Sequence, residues 1–343
     1  MRIWKEYNRG SLSRDMPFVR ENWAVKLSSK LSATEYMAKR GEKTMRQRRW
    51  MNSRVSITHN DNEAAAIKDA INLLQVIPAV NSSDVVVITP NWVKNQAPDS
   101  AIVVGQESLR QIIRLFKGKN PKRIVIAAGS ADDETKNVMK AVGYEKIITD
   151  EGAEFIDLNH GPFERLTLKH SVIASTNINK ILYEATILIS FTQLKYHEEA
   201  TVSAAIKNIA MGWPPAEEHG FPKKQTGIHR ELHGFISAMA EQIPIDLSII
   251  SASPAMIGTG PSKGISRHTG LVVAGCDPVS ADTVAARLLG FRPQGVRYLF
   301  ECAGKNVGES DIEKISIEGI PLVDAENIFS RAAYGAAIAL DKP

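Results

Sequence analysis

The feature that most constrains this chain is a repeated pairing: a short, continuously apolar run, then a turn, then a segment with helical spacing. Residues 85–88, 124–127, 186–191, 247–251 and 271–274 are such runs, and residues 62–76 and 106–117 carry helical spacing. A strand with one wet face alternates polar and apolar positions, whereas a strand buried on both faces is apolar throughout. Runs of the second kind between helices predict an α/β fold with a mostly parallel central sheet and helices on both faces. At 343 residues this is one elaborated domain or two intimately packed lobes.

Further elements follow from local signals. Residues 54–59 read as a short strand, and 154–174 as strand-like pieces forming a meander. Residues 178–184, 199–210, 226–242 and 294–303 read as helices, 314–317 as a last strand and 325–339 as a closing helix. Asp277-Pro278 opens another helix that stops at Gly290: an acidic cap, a proline at the first position and a glycine past the end.

Charge separates the start of the chain from the rest. The net charge of +4 is the sum of +8 over residues 1–50 and −4 over the remainder. Residues 1–53 are thus a basic arm, with a short helix around 32–40, and residues 54–343 the α/β domain. The run Arg46-Gln47-Arg48-Arg49-Trp50 fits contact with nucleic acid or an anionic surface, or an arm folded over the body or onto a second subunit of a homo-oligomer. No basic stripe continues beyond it, so nucleic acid is the weaker reading.

The apolar fraction of 43% and charged fraction of 23% are ordinary for a globular chain. No apolar run reaches the roughly 20 residues a membrane helix needs, and no signal-peptide core follows the basic start. A cytoplasmic protein without a membrane anchor is expected. Cys276 and Cys302 are the cysteines, without a C-x-x-C pair. That argues against a cysteine-held cluster or structural zinc and fits a reducing compartment; the cofactor is left unassigned.

The chemistry concentrates in residues 193–208, QLKYHEEATVSAAIKN. Lys195 and His197 sit just past the strand ending at 191, where open α/β sheets bind ligands. Two residues apart, they point the same way in extended backbone. On a following helix Thr201, Ala205 and Asn208 share one stripe and Ser203 and Lys207 another. The loop Gly258-Thr259-Gly260-Pro261-Ser262-Lys263-Gly264 offers backbone amides, Ser262 and Lys263 to an anion, or is a plain loop. His229 and His233, four apart on one helix, can present two ligands to a metal with His197, His219 or His268 as a third; otherwise they contact substrate or pack. Asp282 lies in an almost wholly apolar helix, so it is buried and either paired or protonated; it is structural, or it orients a loop or tunes a base. Pro90-Asn91-Trp92 and Gly129-Ser130 follow other strand ends and line the same crevice.

Taken in order, these segments resemble the bacterial and archaeal family called domain of unknown function 362, over roughly residues 53–320. The marks are Lys195, His197, Thr201, Lys207 and Asn208 in one K-x-H-x-x-x-T block, Pro90–Trp92, Gly129-Ser130, His229, the glycine loop and the D-P-V-x-x-D start at Asp277–Asp282. Many relatives carry a ferredoxin-like module, which the resemblance links to redox metabolism. This chain has no such cysteines, so that role would need a separate ferredoxin-like partner. Relatives often end the strand before the glycine loop with an acid; here Ile250-Ser251-Ala252-Ser253 has none.

The expected function is a small-molecule enzyme of unassigned reaction. Lys195, Lys207 and the glycine loop would hold a carboxylate or phosphate. His197 or His229 would move protons, with Asn91, Ser130, Thr201, Asn208 and Asp282 around the substrate. A redox partner subunit or a non-catalytic binding protein are the alternatives.

Overall fold

Residues 85–88 show why the sheet is covered twice: Val85 and Val87 belong to one apolar cluster, Val86 and Ile88 to the other. The computed structural model describes residues 45–337. The first half contains β1 (Arg54–His59), α1 (Glu63–Leu74), β2 (Val85–Pro90), α2 (Gln106–Lys117), β3 (Arg123–Ala128), α3 (Thr135–Ala141), α4 (Tyr144–Glu151) and β4 (Glu154–Asp157). The middle adds β5 (Phe163–Thr167), β6 (Ser175–Asn179), α5 (Ile181–Glu184), β7 (Ile187–His197), β8 (Thr201–Ser203), α6 (Ala205–Gly212) and α7 (Ala216–His219). Then come α8 (Leu232–Gln242), β9 (Leu247–Ile257), β10 (Ile265–Arg267), β11 (Leu271–Gly275), α9 (Pro278–Leu288), α10 (Arg297–Gly304), β12 (Ser316–Gly319) and α11 (Leu322–Tyr334).

The main sheet runs β12-β1-β11-β9-β7-β2-β3-β4. β11 is antiparallel to both neighbours and the other neighbouring pairs along this path are parallel. α1, α2 and α4 cover one face through residues such as Ile67, Ile71, Ile112 and Ile148. α6, α8, α9, α10 and α11 cover the other through Ile206, Phe235, Val284, Leu299 and Phe329. The described residues belong to one compact unit, and none of the described helices is long and apolar enough to cross a membrane.

Several local expectations are corrected. β7 runs on from Phe191 to His197, because its end pairs with β8 and with the far end of β9. Residues 199–210 are not one helix: Thr201 has φ +65°, outside the helical region, and the helix begins only at Ala205. The segment 226–242 divides at Glu231, whose φ of −133° separates a 3₁₀ turn, Ile228–Glu231, from α8. β4 joins the main sheet, while β5 and β6 form a separate antiparallel pair. The helix expected at 32–40 lies outside the described residues.

Residues 46–49 turn their charge inward. Arg46 donates to both carboxylate oxygens of Asp246 and to the Ala185 carbonyl. Arg49 binds Asp84 at 2.6 Å, and Arg48 stands 3.5 Å from Asp277. Asp84 and Asp246 directly precede β2 and β9, so the arginines clamp the starting edge of the sheet. Asp246 is fully buried and also accepts from the backbone of Arg49 and Leu188. Arg46→Ala should therefore lower stability by about 2–3 kcal/mol, below the usual loss for a broken buried pair because those amides remain. A shifted urea midpoint at constant m-value checks it.

Candidate functional site

A cavity of about 350 Å³ opens at the end of the sheet opposite that clamp, where β2, β3, β7 and β9 finish. Its walls include Asn91 and Trp92 after β2, Gly129 and Asp132 after β3, and Lys195 and His197 at the end of β7. Lys207 and Asn208 on α6, the segment holding Lys223, Lys224 and His229, and the loop 259–263 close it. Between Gln193 and Lys195 the β7–β9 register shifts, because Ser251 to Met256 on β9 spans five residues against two on β7, so the extra residues bulge out of β9. Beyond the shift Lys195 and His197 both face the cavity.

Lys195 is 1% exposed; its ammonium donates to Asn91 Oδ1 at 2.8 Å and to the Gln193 carbonyl. Asn91 Nδ2 donates to Asn208 Oδ1, and Asn208 Nδ2 donates to the Thr89 carbonyl and to Ser190 Oγ. These contacts fix both amide orientations. Lys223 donates to the carbonyls of Gly129, Met211 and Gly212, each at 3.3 Å, a cation set at the carboxyl end of α6. Lys207 differs. It is 9% exposed and makes no hydrogen bond or ion pair among the described residues. Burial pulls the Lys207 ammonium down to about 8, against the charge of Glu199. Burial, with Lys207 nearby, brings Lys195 to about 7.

The two histidines have opposite roles. His197 Nδ1 accepts from the backbone amides of Glu199 at 3.1 Å and Ala200 at 3.2 Å. A nitrogen that accepts carries no proton, so the neutral ring keeps its hydrogen on Nε2. Burial and the charges of Lys207, His229, Lys195 and Lys224 hold its pKa far below the ordinary value. In that tautomer His197 offers an Nε2–H donor and has no free lone pair with which to act as a base. His229 Nδ1 lies 2.5 Å from Glu199 Oε2. The ionised carboxylate can only accept, so Nδ1 donates and Nε2 carries the free lone pair. Burial lowers the His229 pKa, with Glu199 opposing. Burial works against ionisation of Glu199, yet the His229 hydrogen bond and neighbouring cations hold it below the usual range. An imidazole oriented by a carboxylate is the arrangement of a general base.

Of the residues expected at the site, Lys195, His197, Lys207, His229, Asn91, Asn208, Gly260, Ser262 and Lys263 line the cavity. Ser130, Thr201, Gly258, Gly264 and Asp282 do not. Ser130 is fully buried and turned to the Val93 carbonyl, and Thr201 pairs with His197 in the β7–β8 hairpin. A side chain at Gly260 would strike the Tyr196 carbonyl, and one at Gly264 the Ile257 carbonyl, so close backbone approach explains these glycines. Asp282 lies behind α6, accepting from Ala205 N at 2.8 Å, Ile206 N at 3.1 Å and Tyr298 Oη at 3.0 Å.

The proposed histidine metal set does not assemble. His233 Nδ1 accepts from Tyr298 N, and His219 is enclosed by Thr176 and Thr226. His197, His229 and His233 form no three-ligand group among the described residues. Sequence reasoning missed Glu199, Lys223 and Lys224. The adjacent Glu198-Glu199 after His197 was the available signal for the first. Lys223-Lys224 has no comparable signal, although Lys223 is 2% exposed.

Comparison with known proteins adds the following. A thylakoid-associated protein of Synechocystis sp. is 24% identical over 223 residues, 62% of this chain and 65% of the relative. The chain thus spans less than two thirds of that relative's length. The lactate racemase apoprotein from Thermoanaerobacterium thermosaccharolyticum superimposes with a TM-score of 0.41 at 19% identity, over 69% of this chain and 57% of that one. The model of the family described as Domain of unknown function (DUF362) matches residues 86–287, a span that holds every cavity-lining residue named above. The chain belongs to that family.

Proposed function

We propose that this chain is an enzyme acting on a small carboxylate or phosphate, moving a proton on the carbon beside the anionic group. Lys207, with Lys195 beside it, holds the anion. His197 Nε2–H donates to an oxygen that gains charge, and His229, oriented by Glu199, takes the proton. The observation that carries this reading is Lys207. The lysine is largely buried, its ammonium lies at the cavity wall without a protein partner among the described residues, and an anionic ligand supplies the missing partner.

The experiment is calorimetric titration of the full chain with mono- and dicarboxylates and phosphate monoesters, then proton NMR in D₂O with each binder. One ligand class binds, and its hydrogen next to the anionic group exchanges with solvent. His229→Gln should leave affinity within about threefold and slow exchange by roughly 10²–10⁴-fold, the span of general-base contributions. Binding without exchange in the unaltered protein would leave a binding protein and remove the enzyme. Unchanged exchange in His229→Gln would remove the base assignment.

A further inference from the structure

Outside the cavity, at the end of β4, Asp157 poses a separate question. Its side chain is 7% exposed. Oδ1 is satisfied by Thr135 Oγ1 at 2.8 Å and Asn159 N at 3.0 Å. Oδ2 is buried and accepts no hydrogen bond. A buried carboxylate oxygen left unmatched is expensive, and native folds rarely leave one so.

That oxygen faces two other donors. His160 Nε2 lies 3.9 Å from it and 3.5 Å from Glu134 Oε2. Ligand atoms of Glu134, Asp157 and His160 all lie within 4.8 Å of one another. Two donors bound at about 2.1 Å to a tetrahedral ion stand about 3.4 Å apart, so small side-chain rotations close the set. His160 Nδ1 lies 2.5 Å from Glu217 Oε1. A carboxylate on the far nitrogen places the imidazole lone pair on Nε2 and orients the ring, as in carboxylate–histidine–metal triads. A protonated His160 among these acids is the competing account, but at 3.9 Å it makes no hydrogen bond to Oδ2.

We propose that Glu134, Asp157 and His160 bind one first-row divalent ion of the zinc class, with Glu217 as positioning residue. Two carboxylates and an imidazole suit such an ion. Glu134 and His160 side chains are about half exposed, which leaves the remaining coordination to water. None of the three lines the cavity. The loop between them is shared, however: Gly129, Ala131 and Asp132 form cavity wall, while Ser130 and Thr135 hydrogen-bond to Asn159. The ion would stiffen that wall from behind.

The test is calorimetric titration of ZnCl₂ into the full chain after dialysis against a chelator. One equivalent should bind, with Glu217→Gln weakening affinity about 10- to 100-fold and His160→Gln or Glu134→Gln weakening it further. Both latter positions are half exposed, so unfolding temperatures in chelator should match the parent protein and separate lost ligation from lost fold. No binding by the parent, or equal binding by His160→Gln and Glu134→Gln, overturns the site.

Discussion

Lys207→Met should weaken anion binding by one to two orders of magnitude while making the empty protein more stable. Charge-assisted hydrogen bonds contribute about 1.5–3 kcal/mol each, so losing the Lys207 contact costs roughly 10- to 150-fold in affinity. The stability change has the opposite sign because the folded state holds this ammonium under protest: its pKa is about 8 there against the ordinary 10.5. Between those values the unfolded chain binds more protons than the folded one, so stability climbs with pH across the window. Below pH 8 the full penalty applies, on the order of 3 kcal/mol from the difference in pKa. Methionine, similar in shape and uncharged, removes it. Urea denaturation should therefore favour the variant at pH 6.5 and show convergence above pH 10.5. A variant that binds anions as tightly as its parent, or that is less stable than its parent at pH 6.5, would show that Lys207 has a partner within the fold.

Lys195 makes a useful contrast. It also lies far below its ordinary pKa through burial, but its ammonium satisfies Asn91 Oδ1. Methionine there would leave a buried carboxamide oxygen unmatched, which offsets the relief. The two lysines look alike in sequence and differ in what surrounds them.

That difference marks the boundary of what sequence can say here. Strands apolar at every position identify the doubly covered sheet, and a period of two puts Lys195 and His197 on one side. Asp277 behaves as its D-P context predicts, accepting from Val279 N at 2.8 Å and Ser280 N at 3.2 Å. Each of these signals is local. The helical stripe expected from Thr201 to Asn208 failed because β8 exists only by pairing back onto an extended β7, a long-range event without local periodicity. Glu199 as partner of His229, and Asp157 facing His160, are likewise set by how loops return to the sheet edge. For the arginines at 46–49 an arm folded over the body is among the readings of the sequence, but its partners are not legible there, because the acids they meet, Asp84 and Asp246, stand 35 and 200 residues from Arg49 and Arg46.

Asp282→Ala should lower stability by about 3–5 kcal/mol, since two helix amides and a phenol lose their partner inside the core. α6 has no capping side chain of its own; Ala204 occupies that position. The carboxylate 77 residues away supplies the cap, accepting from Ala205 N and Ile206 N. Asp282→Asn keeps one good acceptor but turns an NH₂ toward donors, so roughly half the loss should remain. Burial raises the Asp282 pKa to about 7, against those hydrogen bonds. With the folded value above the unfolded one, the group's contribution is greatest below pH 4 and declines as pH rises through 7. The penalty of the alanine variant should therefore be larger at pH 5 than at pH 8. Because α6 carries Lys207 and Asn208, loosening its first turn should also weaken anion binding in molecules that remain folded. If Asp282→Ala matches its parent in urea at both pH values, α6 is held by its packing alone, and the cavity owes nothing to this buried acid.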